Sequence, residues 1–313
     1  MNHDISSLAA RGACPTLDHP MPVADGLLAR FRPETGLTSK QLAALAEAAE
    51  LCGNGLIEIT ARGNIQVRGL SEASASNFRA ALGDAAIVAQ SAPAIEYSPL
   101  AGQDPKATAD PRPLARRLRA VCDEALAEGA LSPKLSIVLI TGGQVLLDGL
   151  KADIRLVARD DAWALELGGI ALGLVDEGDV SDAVAVILRA LQAEGPRARG
   201  AELDAGHVAE KLTSLRPLDH VGVRPVGATM GPLSLSGGAA GLRIGLPFGQ
   251  VRSWQLKDLA RLMDRHSVAE AIPAPDRTLV LLGLSADALH ELSPALAAIG
   301  FGTRPDAAER GAM

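Results

Sequence analysis

Aromatic side chains are scarce in this chain, with two Trp, one Tyr and four Phe among 313 residues, which leaves a core of Leu, Val, Ile and Ala. Cysteine is scarcer still. Cys14, Cys52 and Cys122 are too few and too scattered for a disulfide framework, and none forms a C-x-x-C pair, so a reducing cytoplasm is the expected compartment. No apolar run reaches the roughly 18 residues that a membrane span requires. The N-terminus MNHDISSLAARGACP lacks the basic and apolar regions of a signal peptide. An excess of basic charge is also missing: the net charge of −7 argues against a general nucleic-acid surface, although it leaves room for local basic pockets. Several catalytic signatures are absent, among them G-x-S-x-G, G-x-x-x-x-G-K-[ST], H-E-x-x-H and a G-x-G-x-x-G between strand and helix. The six histidines are scattered, and no pair has the spacing of metal ligands on one helix face, so no metal ligand is assigned.

What is present describes an ordinary globular protein, 48% hydrophobic and 21% charged, long enough for two or three domains or one duplicated unit. After an irregular arm punctuated by Pro15, Pro20 and Pro22, Gly26–Arg32 reads as a strand with Arg30 and Arg32 on one face. Thr38 and Gln41 form a capping box for a helix whose stripe is Leu42, Leu45, Ala49 and Cys52. That helix stops at Gly53-Asn54-Gly55. Two strands joined by a Gly63-Asn64 reversal follow, then a helix over about Glu72–Leu82. A similar order returns near the C-terminus, as strand Gly241–Pro247, helix Ser253–Met263, strand Thr278–Leu282 and helix Ala286–Ile299. A shift of 214 residues places Gln41-Leu42 on Gln255-Leu256 and Gly69-Leu70-Ser71 on Gly283-Leu284-Ser285, which points to internal duplication. Between the two units the pattern predicts a helix over Asp110–Gly129, opened by Asp110 and Pro111, and a helix over Val180–Ala193. Short strands are predicted at Leu135–Ile140, Gln144–Leu147, Ala152–Ala158 and Trp163–Leu167, and a mobile connection over Gly195–Gly206.

Basic residues in or beside predicted strands are the main chemical signal: Arg30, Arg32, Arg62, Arg68, Lys134 and Arg155. Any one of them fits an exposed, solvated sheet face. Together they suggest a face lined with cations and suited to a ligand bearing several carboxylates, since guanidinium offers a planar donor fork. Gly63, next to Arg62, would let a large ligand approach the backbone.

The stretch Asn54–Gly69, with the pattern N-G-x-x-x-x-T-x-R-x-x-x-Q-x-x-G, resembles the tetrapyrrole-contacting hairpin of the nitrite/sulfite reductase superfamily. Within it, RGACP at Arg11–Pro15, PMPVADGLL at Pro20–Leu28, SPKLSIVL at Ser132–Leu139, LDGLKADIRL at Leu147–Leu156 and GLPFGQV at Gly245–Val251 are similar to the precorrin-3B synthase family. The resemblance implies an α+β fold in which two ferredoxin-like half-domain units flank a central α+β tetrapyrrole-binding module. On this chain it implies an extended arm over 1–24, half-domains over 25–95 and 221–305, a central module over 96–220 and a polar tail over 306–313. It also implies an oxidoreductase of aerobic cobalamin biosynthesis, acting on a polycarboxylate tetrapyrrole by ring hydroxylation with lactone formation. Arg30, Arg32, Asn54, Thr60, Arg62, Gln66, Arg68, Lys134 and Arg155 are the tetrapyrrole-binding candidates, and a sirohaem-like ligand fits the same expectation. Lys134 stands at the family's lysine position; the second lysine that the reductases carry two residues on is Ser136 here, which counts against sulfite or nitrite reduction. The family's 4Fe-4S cluster takes four cysteines from beyond the second half-domain, and this chain is expected to lack them, so that a separate iron–sulfur polypeptide or electron donor would be needed. Three readings remain: a shortened precorrin-3B synthase-type enzyme, a reductase fragment, and a non-catalytic tetrapyrrole-binding protein or inactive relic, the last being favoured for the chain acting alone.

Overall fold

The structure, a computed structural model, describes residues 14–218 and 230–304. The first part of the expected arm (1–13), the residues around the expected boundary at 221 and the expected tail 306–313 lie outside the described residues. In chain order the described elements begin with β1 (Met21–Val23), β2 (Gly26–Phe31), α1 (Ser39–Cys52), β3 (Leu56–Ile59), β4 (Ile65–Leu70) and α2 (Glu72–Asp84). Next come β5 (Ala94–Glu96), α3 (Arg112–Glu128), β6 (Ser136–Ile140), β7 (Ile154–Arg159), β8 (Ala162–Leu167), β9 (Ile170–Asp176), α4 (Val180–Glu194) and α5 (Ala205–Glu210). The chain continues with β10 (Gly231–Ser234), β11 (Ala240–Gly245), β12 (Gln250–Arg252), α6 (Ser253–Arg265), β13 (Glu270–Ala274), β14 (Thr278–Leu284) and α7 (Ala286–Ala298). The α+β class and the two related units expected from the sequence are both present. No described helix is long and apolar enough to cross a membrane.

The chain divides into two compact units, one formed by Met1–Gln90 with Thr229–Met313 and the other by Ser91–Ala228. The first unit holds two antiparallel sheets of matching order, β1-β2-β4-β3 and β10-β11-β14-β13, with β12 added beyond β3. Each repeated residue has a physical job. Gly69 and Gly283 take φ of +73° and +79°, beside register shifts in β2 and β11, so both sheets carry a bulge that favours glycine. Leu70 and Leu284 are buried in the core, and Ser71 and Ser285 cap the next helix by accepting from Ser74 N and Ala288 N at 3.1 Å each. Gln41 and Gln255 accept from the backbone N–H of Thr38 and Arg252 at the helix N-termini, while their amide groups donate to Ala86 O and Ile299 O just past α2 and α7. One side chain thus ties the two helices of each half together.

The halves share one core. Leu42, Leu45, Ala46 and Ala49 of α1 meet Leu256, Leu259 and Met263 of α6, with Phe78, Leu82, Leu292 and Leu296 supplied by the outer helices. Cys52 ends the α1 stripe half-buried. The halves also exchange backbone. β12, just before α6, pairs with β3, and Leu37, just before α1, trades hydrogen bonds with Ala271 of β13 at 2.9 and 2.8 Å.

The second unit is one five-stranded sheet, β5-β6-β7-β8-β9, parallel through β7 and antiparallel beyond it. Helices α3 and α4 cover one face, where Leu118, Cys122, Ile187 and Leu188 pack on Ile137, Leu156 and Leu165. Asp110 opens α3 by accepting from Arg112 N at 3.0 Å. Two expectations are corrected here. Gln144–Leu147 is a loop, because the Asp104 carboxylate accepts both Gln144 N (2.6 Å) and Gln144 Nε2 (3.1 Å) and takes that backbone out of the sheet. Within Gly195–Gly206, a 3-10 turn at Gly200–Glu202 and the start of α5 occupy what reads as a connection, since Asp153 Oδ1 accepts from Gly200 N at 2.8 Å.

Glu270 lies at the point where the halves exchange backbone, accepting from the Gly36 N–H, and burial raises its pKa above the ordinary carboxylate value. The folded state therefore holds a proton that the unfolded chain has already lost, so this contribution to stability is full below the unfolded pKa and is lost as pH rises through the folded one. Glu270→Gln is expected to flatten that part of the pH dependence, read as urea midpoints across a pH series. An unchanged slope would show that Glu270 does not carry it.

Candidate functional site

The face of the first sheet turned away from α1 and α2 carries a polar row that runs across four strands in register. Arg30 of β2 is opposite Gln66 of β4, Gln66 is opposite Glu58 of β3, and Glu58 is opposite Gln250 of β12. Alternation accounts for their common face, because the neighbours Ala29, Phe31, Ile57, Ile59, Ile65 and Val67 all enter the core. Hydrogen bonds follow the register. Arg30 donates from Nε (2.8 Å) and Nη2 (2.5 Å) to Gln66 Oε1, and Gln66 Nε2 donates to Glu58 Oε2 at 2.8 Å. Gln250 Nε2 donates to the other carboxylate oxygen of Glu58 at 2.7 Å.

Around this row the remaining candidates of the first unit have distinct jobs. Arg68 pairs with Asp25 at 3.3 Å and lies 3.6 Å from Glu58. Asn54 donates to Asp25 Oδ2 at 3.0 Å, and its own Oδ1 accepts from Leu56 N at 3.0 Å, which folds the entry into β3. Thr60 clasps the hairpin turn, its hydroxyl accepting from Asn64 N at 3.0 Å. Arg32 donates to the backbone oxygen of Arg62 at 2.9 Å and so holds the residue expected to grip a carboxylate. The face is therefore a lattice of alternating charge in which Glu58 and Asp25 compensate the arginines, and not a plain run of cations. Such a lattice fixes guanidinium planes before any ligand arrives, which lowers the ordering cost of binding.

The remaining two candidates belong to the second unit. Lys134 is exposed in the turn before β6. Arg155 lies in β7, its side chain only 12% exposed, donating to the Leu150 carbonyl and paired with Glu166 at 3.4 Å. Ser136 is buried, with its backbone N donating to Asp153 Oδ2 at 2.9 Å, and Asp153 also takes a two-point contact from Arg199 at 2.9 Å.

Sequence reasoning missed Glu58, Gln250 and Arg243. Glu58 was visible in the alternation Ile57-Glu58-Ile59. Gln250 had no local signal, because it reaches Glu58 from 192 residues away. Arg243 was hidden by one residue of offset. Strand pairing sets Leu242-Arg243-Ile244 against Leu281-Val280-Leu279 as Ala29-Arg30-Phe31 is set against Val67-Gln66-Ile65, so Arg243 corresponds to Arg30.

Gly63 has a different neighbour from the one its position suggests. Its φ is +78°, and a Cβ there would lie 2.9 Å from the carbonyl carbon of Ala274, so the second hairpin, not a ligand, makes the close approach. Gly63→Ala is expected to lower stability by about 1–3 kcal/mol through backbone strain. Urea unfolding of the variant beside the parent chain measures this, and equal midpoints would contradict the packing of the two turns.

The cysteines do not fit an iron–sulfur cluster. Cys122 is fully buried in α3, where burial pushes its thiol up to about 11, and Cys52 is half-buried at the end of the α1 stripe. Among the described residues no group of three or more His, Cys, Asp or Glu side chains is arranged to hold a metal. Thiolate ligation by four cysteines is beyond a chain that contains three.

Comparison with known proteins agrees with this architecture. A family model described as the nitrite/sulfite reductase ferredoxin-like half domain matches residues 19–85. A precorrin-3B synthase of Sinorhizobium sp is 38% identical over 301 residues, which are 93% of this chain and 66% of that protein. The chain thus spans just under two thirds of that relative's length. Among solved structures, the NirA protein of Mycobacterium tuberculosis superposes with a TM-score of 0.68 at 19% identity, covering 89% of this chain and 57% of that one, a likeness of fold.

Proposed function

From a chain that belongs to the nitrite/sulfite reductase superfamily and is related to precorrin-3B synthase, we propose an oxidoreductase subunit of cobalamin biosynthesis that binds a polycarboxylate tetrapyrrole. The observation that carries the reading is the in-register row Arg30–Gln66–Glu58–Gln250, with Arg62 and Arg68 beside it. A tetrapyrrole presents several carboxylates around a flat, largely apolar ring, and arginines on adjacent strands recognise such spacing. Arg30 spends one edge of its guanidinium on Gln66 and keeps further donors of its five for a ligand. Arg62, placed by Arg32, is assigned a second carboxylate. Asn54 and Thr60 shape the hairpin, and Gln66 orients Arg30. Lys134 remains a separate candidate on the other unit, whereas Arg155 is engaged by Glu166.

In the reaction proposed for the whole enzyme, hydroxylation of the ring with lactone formation, these residues bind and orient the substrate. An iron–sulfur group would supply electrons, and the three cysteines of this chain do not provide its four ligands. The same row fits a protein that binds a tetrapyrrole without transforming it. That second reading is favoured for the chain by itself, because the cysteine set does not fit a cluster. A cytoplasmic location accords with the cysteine usage and is part of the proposal.

Two measurements test this. Arg62→Ala is expected to weaken binding of uroporphyrin, a porphyrin bearing several carboxylates, by about 1.5–3 kcal/mol through loss of a charge-assisted bond; equal affinity in fluorescence titration would overturn the assignment of Arg62. Iron and acid-labile sulfide analysis of anaerobically purified chain is expected to show no cluster. About four irons per chain with absorption near 400 nm would overturn the non-catalytic reading.

A further inference from the structure

We infer that Arg243 is a positioning residue for the site on the first sheet, holding the β13–β14 turn and, through it, the β3–β4 turn that carries Arg62. The inference rests on the proposed role of Arg62 as a carboxylate ligand.

Arg243 is the counterpart of Arg30 in the second half, but its surroundings differ. In the first sheet the row continues through Gln66 and Glu58, whereas in the second it meets Val280 and then Ile272. Neither of those aliphatic side chains offers a polar group to an arginine that is only 3% exposed. It turns to the end of the sheet instead. Nε donates to Thr278 Oγ1 at 3.0 Å, and Nη2 donates to the Pro275 carbonyl at 2.9 Å and to Asp276 Oδ2 at 3.2 Å. The Thr278 hydroxyl donates to the same Pro275 carbonyl at 2.8 Å, so both ends of the turn are tied. Such ties matter because Asp276 and Arg277 have φ of +61° and +58°, a region that costs non-glycine residues free energy.

The tied turn then supports the first hairpin. Asp276 N donates to the Ala61 carbonyl at 3.0 Å, and Gly63 packs on the Ala274 backbone. Ala61 and Gly63 are the residues on either side of Arg62. With Arg32 holding the Arg62 carbonyl, the backbone of the gripping residue is fixed from two directions, one of them supplied by the second half. The strand arginine of the second half therefore has a different task from its counterpart: it sets the ligand of the other copy.

The test combines hydrogen exchange, uroporphyrin titration and a double variant. Arg243→Met is expected to speed amide exchange at residues 61–63 and to weaken uroporphyrin by about five- to tenfold, with no further loss when Arg62→Ala is already present. Arg243→Lys, which keeps the charge and loses the fork, is expected to recover part of the affinity. Asp276→Asn alters an exposed side chain and tolerates positive φ, so it gives the same direction of effect, about two- to threefold, should Arg243→Met fail to fold. Unchanged exchange at 61–63 in a folded Arg243 variant, or in Asp276→Asn when Arg243→Met does not fold, overturns the inference. So does a loss of affinity that adds in full to that of Arg62→Ala. If Arg62→Ala alone leaves affinity unchanged, the proposed site fails; exchange at 61–63 then still decides whether Arg243 holds the turn.

Discussion

Neither half of the first unit can bury its apolar surface alone. Each half offers one helix, α1 or α6, whose small and aliphatic residues pack against the other in one shared core. Close helix packing brings the sheet edges within backbone reach. Leu37 then bonds Ala271, and β12 joins β3. The site depends on this exchange. Gln250 reaches Glu58 only as part of β12, and the turn carrying Arg62 is backed by the turn of the second half. A single-copy unit would keep the hairpin but lose two of its supports.

The two copies also show how the same fold handles a strand arginine in different surroundings. On the first sheet, Arg30 lies beside a polar residue on the next strand and enters a row of alternating donors and acceptors. On the second, Val280 and Ile272 take those places, and Arg243 spends its donors on a turn. Burial works against the charge of Arg243 and lowers its pKa, with Asp276 opposing that effect. An arginine in such a place persists because its fork satisfies several acceptors at once. The two copies thus share one strand order while their corresponding arginines have different partners.

Much of the architecture was legible because its signals are local. Thr38 and Gln41 mark a helix start, the Gly-Leu-Ser repeat marks the duplication, and the spacing of Arg30 and Arg32 puts them on one face, whereas the bulge, core and cap roles of that repeat emerge from the structure. Errors arose where a side chain overrides the local pattern. Gln144–Leu147 has the apolar Val-Leu-Leu run of a short strand, yet Asp104 captures its backbone from 40 residues away. Gly195–Gly206 is rich in glycine and charge, yet Asp153 orders its centre. β13 escaped notice because it is five residues long with Pro273 inside, and only pairing with β14 makes it a strand.

The sequence by itself determined the hairpin, its turn chemistry and the sidedness of the arginines, since each depends on residues within a few positions of one another, and it showed the duplication because such local signals recur 214 residues on. Tertiary structure decided the neighbours. It placed Glu58 between Gln66 and Gln250, turned an apparent line of cations into a compensated lattice, and gave Gly63 the backbone of Ala274 to rest against. The physical reason is the range of the two constraints. A strand's period of two assigns every side chain to a face, whereas which strand lies alongside is settled by burial of a core that draws on residues more than 200 positions apart.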